Sequence, residues 1–314
     1  MKRKGILGLL MCLIAVLSWG GMFPIMEPAL KIMDPFYFTL FRYGSVAIIF
    51  AILLLFIEGP KAFNPEGHFK KLWLLGTSAF AGFSFLVFLG QKIAGPSGSI
   101  IASVMMAIQP LLGVLVAWVW RKQKPTKFSL LSMVVAIIGV FMVVTKGHIS
   151  ALFGGNNTFS ATLLILLGAL CWVIYTSGVP DFSGWSILRY TALTTIYGMI
   201  SVCVIIAVAT MAGWLKMPTM HAIQGVSGTL VYMVLLAGVI AVFAWNFGNR
   251  IVGPINGILF MNLVPVTSFV ITVIGGYHIS AFELVGCLLV IIALIANNLY
   301  NRYKSNKKQQ VEAD

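Results

Sequence analysis

Gly90-Gln91-Lys92-Ile93-Ala94-Gly95-Pro96 returns later in the chain as Gly248-Asn249-Arg250-Ile251-Val252-Gly253-Pro254. Glycine, a carboxamide, a base, isoleucine and Gly-Pro recur at the same spacing, each time at the close of an apolar run. Such self-similarity means that one structural unit is used twice. Other matches keep the chain order. Leu17-Ser18-Trp19 answers Leu170-Cys171-Trp172, Phe41-Arg42-Tyr43 answers Leu188-Arg189-Tyr190, and Pro110 answers Pro265.

The unit is a set of membrane helices. Hydrophobic residues make up 60% of the 314 and charged residues 9%, with a mean hydropathy of +0.99. A soluble domain is about a quarter charged, so this chain cannot cover a water-facing surface. A span needs about 20 mostly apolar residues, and ten fit at roughly 5–26, 36–57, 71–91, 97–120, 127–145, 160–178, 185–212, 228–249, 254–274 and 281–300. The separators carry turn and charge signals, among them Glu58-Gly59-Pro60, Arg121-Lys122-Gln123-Lys124-Pro125 and Gly154-Gly155-Asn156-Asn157. Helices are required because backbone groups in lipid must be satisfied within the segment, and the runs are too uniformly apolar for barrel strands.

The net charge of +13 does not point to nucleic acid, since the bases form short clusters between apolar runs rather than a stripe. Placing the N-terminus inside gives inner segments Lys2, Arg3 and Lys4; Lys61, Lys70 and Lys71; Arg121, Lys122, Lys124 and Lys127; and Arg302, Lys304, Lys307 and Lys308. Outer loops then hold Lys31, Lys92, Lys146 and Lys216. The contrast puts both termini in the cytoplasm of a multi-pass plasma-membrane protein. It is weakest over spans six to nine, where Arg189 and Arg250 are the inner bases. The first apolar run, without an Ala-x-Ala-like cleavage site, reads as a retained helix rather than a signal peptide. Cys12, Cys171, Cys203 and Cys287 lie inside apolar runs and read as small buried residues, with no disulfide or metal site.

Five spans per half is an odd number, so the second half enters the membrane from the opposite side. The expected fold is all-α: ten transmembrane helices as two inverted five-helix repeats. Residues 1–146 form the first repeat, 147–159 an outer linking loop, 160–301 the second repeat and 302–314 a basic tail on the inner leaflet. Inversion sets Lys92 at the outer end of span three and Arg250 at the inner end of span eight.

The ten short spans in two halves, the Trp19 region, the Gly-Pro loops at 95–96 and 253–254, Pro110 and Pro265, and the glycine-bearing fifth helices (Gly139; Gly286) resemble the drug/metabolite transporter superfamily, specifically its EamA type. The resemblance covers residues 5 to 300. It implies export of amino acids, related metabolites, nucleotide precursors or drugs, and a central cavity lined by helices 1, 3, 4, 6, 8 and 9. One departure stands out. The family's Gly-Glu pair closing the fourth helix of each half is replaced by Trp120-Arg121 and Gly276-Tyr277.

Intramembrane polar and aromatic residues are the candidates for substrate contact. They are Ser18 and Trp19 in span one, Gln109 in span four, Trp172 and Tyr175 in span six, Asn246 in span eight and Asn262 in span nine, with Asn256 nearby. An indole can line a cavity wall or pack between helices. Pro110 and Pro265 mark kinks, since proline cannot donate to the carbonyl four residues back; each is a hinge or a static bend. Lys92 and Arg250 are helix-end bases that complement the dipole, or else gates toward a substrate carboxylate. Arg42 is expected to pair with Glu27 or Asp34, and Arg189 with Asp181. None of the eight acids falls at a span centre, Glu283 being the deepest, so coupling through a central carboxylate is not expected.

The favoured function is a secondary transporter moving an amino acid or related amphipathic compound outward by alternating access, without cofactor or metal. Export of lipophilic drugs or lipid-linked precursors is the alternative. A polytopic membrane enzyme is more remote, because no cluster of acids, metal ligands or nucleophile with base is present. The expected partners are a small-molecule substrate and the lipid bilayer. Composition leaves the oligomeric state open.

Overall fold

A computed structural model describes residues 2–122, 124–147, 157–252, 260–261 and 263–311. Every regular element among them is helical. Helix α1 is Lys2–Ile32 and α2 is Pro35–Glu58. A column follows in three parts, α3 (Phe69–Gly76), a π-helical segment (Thr77–Phe83) and α4 (Ser84–Ala94). Next come α5 (Gly98–Ala107), α6 (Gln109–Arg121) and α7 (Lys127–Thr145). Beyond the link lie α8 (Thr158–Gly178), α9 (Ile187–Met211) and the short α10 (Met220–Gly225). A second column holds α11 (Ser227–Val231), a second π-helical segment (Tyr232–Ile240) and α12 (Ala241–Val252). Helices α13 (Leu263–Ile274) and α14 (Ala281–Val311) close the described chain.

Eight helical stretches are long and apolar enough to cross a membrane, and Gln109–Trp120 and Leu263–Ile274 are shorter apolar helices. The expected third and fourth spans run on as one stretch, Phe69–Ala107, through a 3-10 turn at Gly95–Ser97 where Gly95 takes φ +60°. The expected fourth span is then interrupted at Ile108, because Pro110 in the first turn of α6 has no N–H to continue the ladder. Pro265 falls in the first turn of α13. The expected loop Gly253-Pro254, Asn256 and Asn262 lie outside the described residues.

Local chemistry sets the helix starts. Asp34 accepts from the Phe36 N–H at 2.9 Å, with Pro35 in the first turn of α2. Thr126 and Ser186 cap α7 and α9 in the same way. Ser280 and Glu283 form a capping box on α14: Ser280 N donates to Glu283 Oε2 at 2.8 Å, and Glu283 N donates to Ser280 Oγ at 3.2 Å.

Packing crosses between the first and second parts of the chain. α1 lies on α12 and α13, α4 on α8, α2 on α9, and α7 on α14. Two glycines of the recurring motif allow close approach. A Cβ on Gly90 would stand 2.7 Å from the Ala161 carbonyl of α8, and one on Gly248 2.9 Å from the Gly8 carbonyl of α1. Small residues at such crossings are how helices pack in lipid, where apolar contact with a neighbour gains nothing over contact with acyl chains.

Large apolar side chains face outward along the bundle, among them Ile48, Phe56, Ile137, Val204 and Ile292. A water-soluble protein would not expose so many. The cysteines are all free. Cys12 and Cys287 are buried, Cys171 is half-buried, and Cys203, expected to be buried, is exposed on the lipid-facing flank of α9.

Candidate functional site

The matched tryptophans meet. Trp19 of α1 and Trp172 of α8 lie edge to face with centroids 6.1 Å apart. Trp245 packs 5.4 Å from Trp19, and Phe83 5.2 Å from Trp172. Trp19, Trp172 and Phe83 border a cavity of about 30 Å³, whose wall also holds Arg42, Tyr43, Gln109 and Met261. A water needs roughly 10–15 Å³ by this measure, so the space holds a water or two and no metabolite.

Both π-helical segments brace this centre. Such segments are uncommon and gather at functional sites. The second receives Trp19, whose Nε1 donates to the Ala237 carbonyl at 3.1 Å, and Arg42, whose Nε donates to the Met233 carbonyl at 3.2 Å. In return the Tyr232 hydroxyl donates to the Ser18 carbonyl at 2.7 Å. The first segment ties α8 and α9: Ser78 Oγ donates to the Cys171 carbonyl at 2.8 Å, and Thr77 and Ser201 share a 2.6 Å hydrogen bond. No proline or charge marks either segment in the sequence.

Arg42 departs from its expected pairing. Asp34 is spent on its cap, and Glu27 accepts from Ser99 Oγ at 2.8 Å. Arg42 lies about two turns inside α2 and turns inward, 1% exposed. Its guanidinium carbon sits 4.5 Å from the Tyr43 ring centroid and 5.5 Å from that of Phe88. Nη2 reaches Met22 Sδ at 3.3 Å, and Nη1 has no hydrogen-bond partner. The ion pairs among the described residues, Lys71–Asp181, Lys146–Glu283 and Arg189–Glu66, do not include it.

The other expected residues divide. Trp19, Gln109 and Trp172 line the cavity. Tyr175 stands behind that wall, stacked on Tyr190 at 5.6 Å and 5.3 Å from Trp172. Ser18 Oγ is turned back to its own helix, on the Ile14 carbonyl. Asn246 donates to Thr191 Oγ1 at 3.2 Å. Lys92 is exposed on the last turn of α4, and Arg250 at the end of α12 reaches the Trp185 carbonyl at 3.4 Å. Gln91, noted in the sequence for its recurrence alone, joins α4 to α1 by donating to the Phe23 carbonyl at 2.7 Å.

Polar clusters close both ends of the bundle. At one end Arg189 donates to the carbonyls of Ala62 and Asn64 at 3.0 and 2.7 Å and to Glu66 at 2.7 Å, rather than pairing with Asp181 as expected. Asp181 pairs with Lys71 at 2.8 Å instead. Trp185 Nε1 also donates to Glu66, and Ser186 to Glu58. The Arg189 hydrogen bond, joined by that of Trp185, holds the Glu66 carboxyl below its usual range. At the other end Tyr277 donates to Glu283 at 2.8 Å, and Lys146 reaches the Tyr277 hydroxyl at 2.7 Å and Glu283 at 3.4 Å. Burial opposes the Lys146 charge, but Tyr277 and Glu283 outweigh it and raise its pKa. The buried Glu283 is thus tied down as a helix cap and ion-pair partner. The column 69–94, roughly 39 Å at about 1.5 Å per residue, separates the ends, with His68 just before it and Ser97 just after.

Comparison with known proteins places these features. The pattern of the EamA-like transporter family matches residues 6–145. The uncharacterized transporter YrdR of Bacillus subtilis (strain 168) is 42% identical over 313 residues, covering 100% of this chain and 97% of its own. The uncharacterized transporter YyaM of the same organism is 28% identical over 297 residues, covering 93% of each. A solved crystal structure with 18% identity superposes with a TM-score of 0.62, covering 96% of this chain and 99% of its own, and shows a shared fold.

Proposed function

The chain belongs to the EamA-like transporter family, and from that premise we propose that it is a secondary transporter for a small amphipathic metabolite, an amino acid or close relative, moved outward across the plasma membrane by alternating access. The observation that carries this reading is the narrow aromatic cavity at the Trp19–Trp172 contact. A cavity too small for any metabolite, deep in a bundle tied shut at both ends, suits the occluded stage of a carrier whose two gates open in turn. Its wall mixes indole, thioether, carboxamide and guanidinium, which suits a substrate with an apolar body and a polar head.

The cross-packing supports two inverted five-helix halves. Each π-segment column grips the first two helices of the other half, α8 and α9 in one case and α1 and α2 in the other. The recurring glycines make equivalent crossings. In this reading both termini are cytoplasmic, the Arg189 cluster is the inner gate and the Lys146 cluster the outer gate. Ile108 before Pro110 supplies a joint between α5 and α6. Lys146 and Tyr277 with Glu283 would hold the outer side in place of the missing Gly-Glu pair.

Counterflow in proteoliposomes loaded with mixed amino acids tests the function. Labelled amino-acid uptake without a pH gradient is expected, since no carboxylate lines the cavity among the described residues. Absence of uptake by folded protein, with and without a gradient, would sink the amino-acid reading and favour drugs or lipid precursors.

A further inference from the structure

We propose that Arg42 is the anion-binding residue of the cavity, and that the transported compound presents a single carboxylate on an apolar or aromatic body. This rests on the reading of the chain as a small-molecule carrier.

Among the described residues that line the cavity, Arg42 carries the one charge. A guanidinium cannot shed its proton to escape burial, and an uncompensated charge inside a membrane protein is expensive enough to mark a substrate path. Among the described residues no acid pairs with Arg42. Its contacts are a long hydrogen bond to the Met233 carbonyl, a thioether and the rings of Tyr43 and Phe88. Nη1 is left without a partner. A planar fork missing its anion fits a carboxylate, which accepts two parallel hydrogen bonds from it.

The rest of the wall defines what the carboxylate is attached to. Trp19, Trp172 and Phe83 give flat apolar faces. Met22, Met106 and Met261 give adaptable ones, so the body is selected by apolar character more than by shape. Gln109 and Tyr43 add polar side chains to the wall. With one cation present, a doubly charged anion would leave a charge uncompensated. Free amino acids with apolar side chains and simple aryl carboxylates share the required chemistry.

Titrating the purified full-length protein with matched pairs separates the possibilities, read by quenching of its tryptophan fluorescence. The probes are phenylalanine with phenylalaninamide, and 3-phenylpropionate with 3-phenylpropionamide. At least one carboxylate should bind about tenfold or more tightly than its amide, the worth of one charge-assisted hydrogen bond. That advantage should collapse in Arg42→Gln and return in part in Arg42→Lys, which keeps the charge and loses the fork. Tight phenylalanine with weak phenylpropionate names amino acids as the source; the reverse names plain carboxylates. If Arg42→Gln fails to fold, the wild-type pairs and Arg42→Lys still decide. Equal binding of carboxylates and amides overturns the proposal and leaves the carrier reading standing. No binding of any probe, joined to no counterflow of any amino acid, overturns both.

Discussion

Arg42 and Arg189 each precede a buried tyrosine near the start of a helix, yet they do opposite things. Arg189 sits in the first turn of α9, at the bundle end, and finds two carbonyls, a carboxylate and the face of Trp185. Its Nε and Nη2 are both used, and the neighbours they bind are held by it. Arg42 sits about two turns inside α2, away from every carboxylate of the described ion pairs, beside a void. One arginine is a tie between loops. The other is a buried charge met by a carbonyl, a thioether and two rings but, among the described residues, by no acid. A cation's role in a membrane protein is decided by what the protein fails to give it.

The contrast predicts opposite signs for the same change. Arg42→Met removes a buried charge and keeps apolar volume, so unfolding stability should rise by about 1–4 kcal/mol, as when buried ions give way to apolar residues. Thermal unfolding in detergent checks this; a clear fall would make Arg42 a structural tie like its counterpart. Arg189→Met leaves the Ala62 and Asn64 carbonyls without their donor and should cost about 1–2 kcal/mol, while the preference for carboxylates over amides stays as in wild type. A changed preference would move Arg189 into the substrate path. A smaller effect is expected from pH. The Glu66 carboxyl is held below its ordinary 4.5 chiefly by Arg189, so the folded state binds fewer protons there than the unfolded state. The resulting stability is present above 4.5 and is lost as pH falls through the depressed value. The acid limb of a melting-temperature profile should therefore flatten in Arg189→Met and be unchanged in Arg42→Met.

The sequence made the apolar helices legible because lipid demands about 20 apolar residues wherever a helix crosses, although eight stretches rather than ten have that length among the described residues. It matched Trp19 with Trp172 and named both as candidates for substrate contact, and the two rings meet beside the cavity. It did not reveal which way Arg42 turns. Helix α2 is apolar on nearly every side, so no polar stripe marks its inner face, and Asp34 and Glu27 stood close in sequence as plausible partners. Their capping and Ser99 contacts depend on tertiary packing. The π-helical segments were hidden for the same reason. Thr77–Phe83 and Tyr232–Ile240 contain ordinary small and apolar residues, and their hydrogen bonds run to helices distant in sequence. Glu283 is the buried acid among the described residues, and the Ser280 capping box and Lys146 give it a structural task.

The most direct test is counterflow by wild type and Arg42→Met, reconstituted at equal amounts and shown to be equally folded, with labelled phenylalanine or 3-phenylpropionate, whichever binds wild type more tightly. Wild type should exchange the label without an imposed gradient, and Arg42→Met should exchange it about tenfold or more slowly, in line with the loss of one charge-assisted hydrogen bond. Equal exchange by the two proteins would contradict a carboxylate site at Arg42.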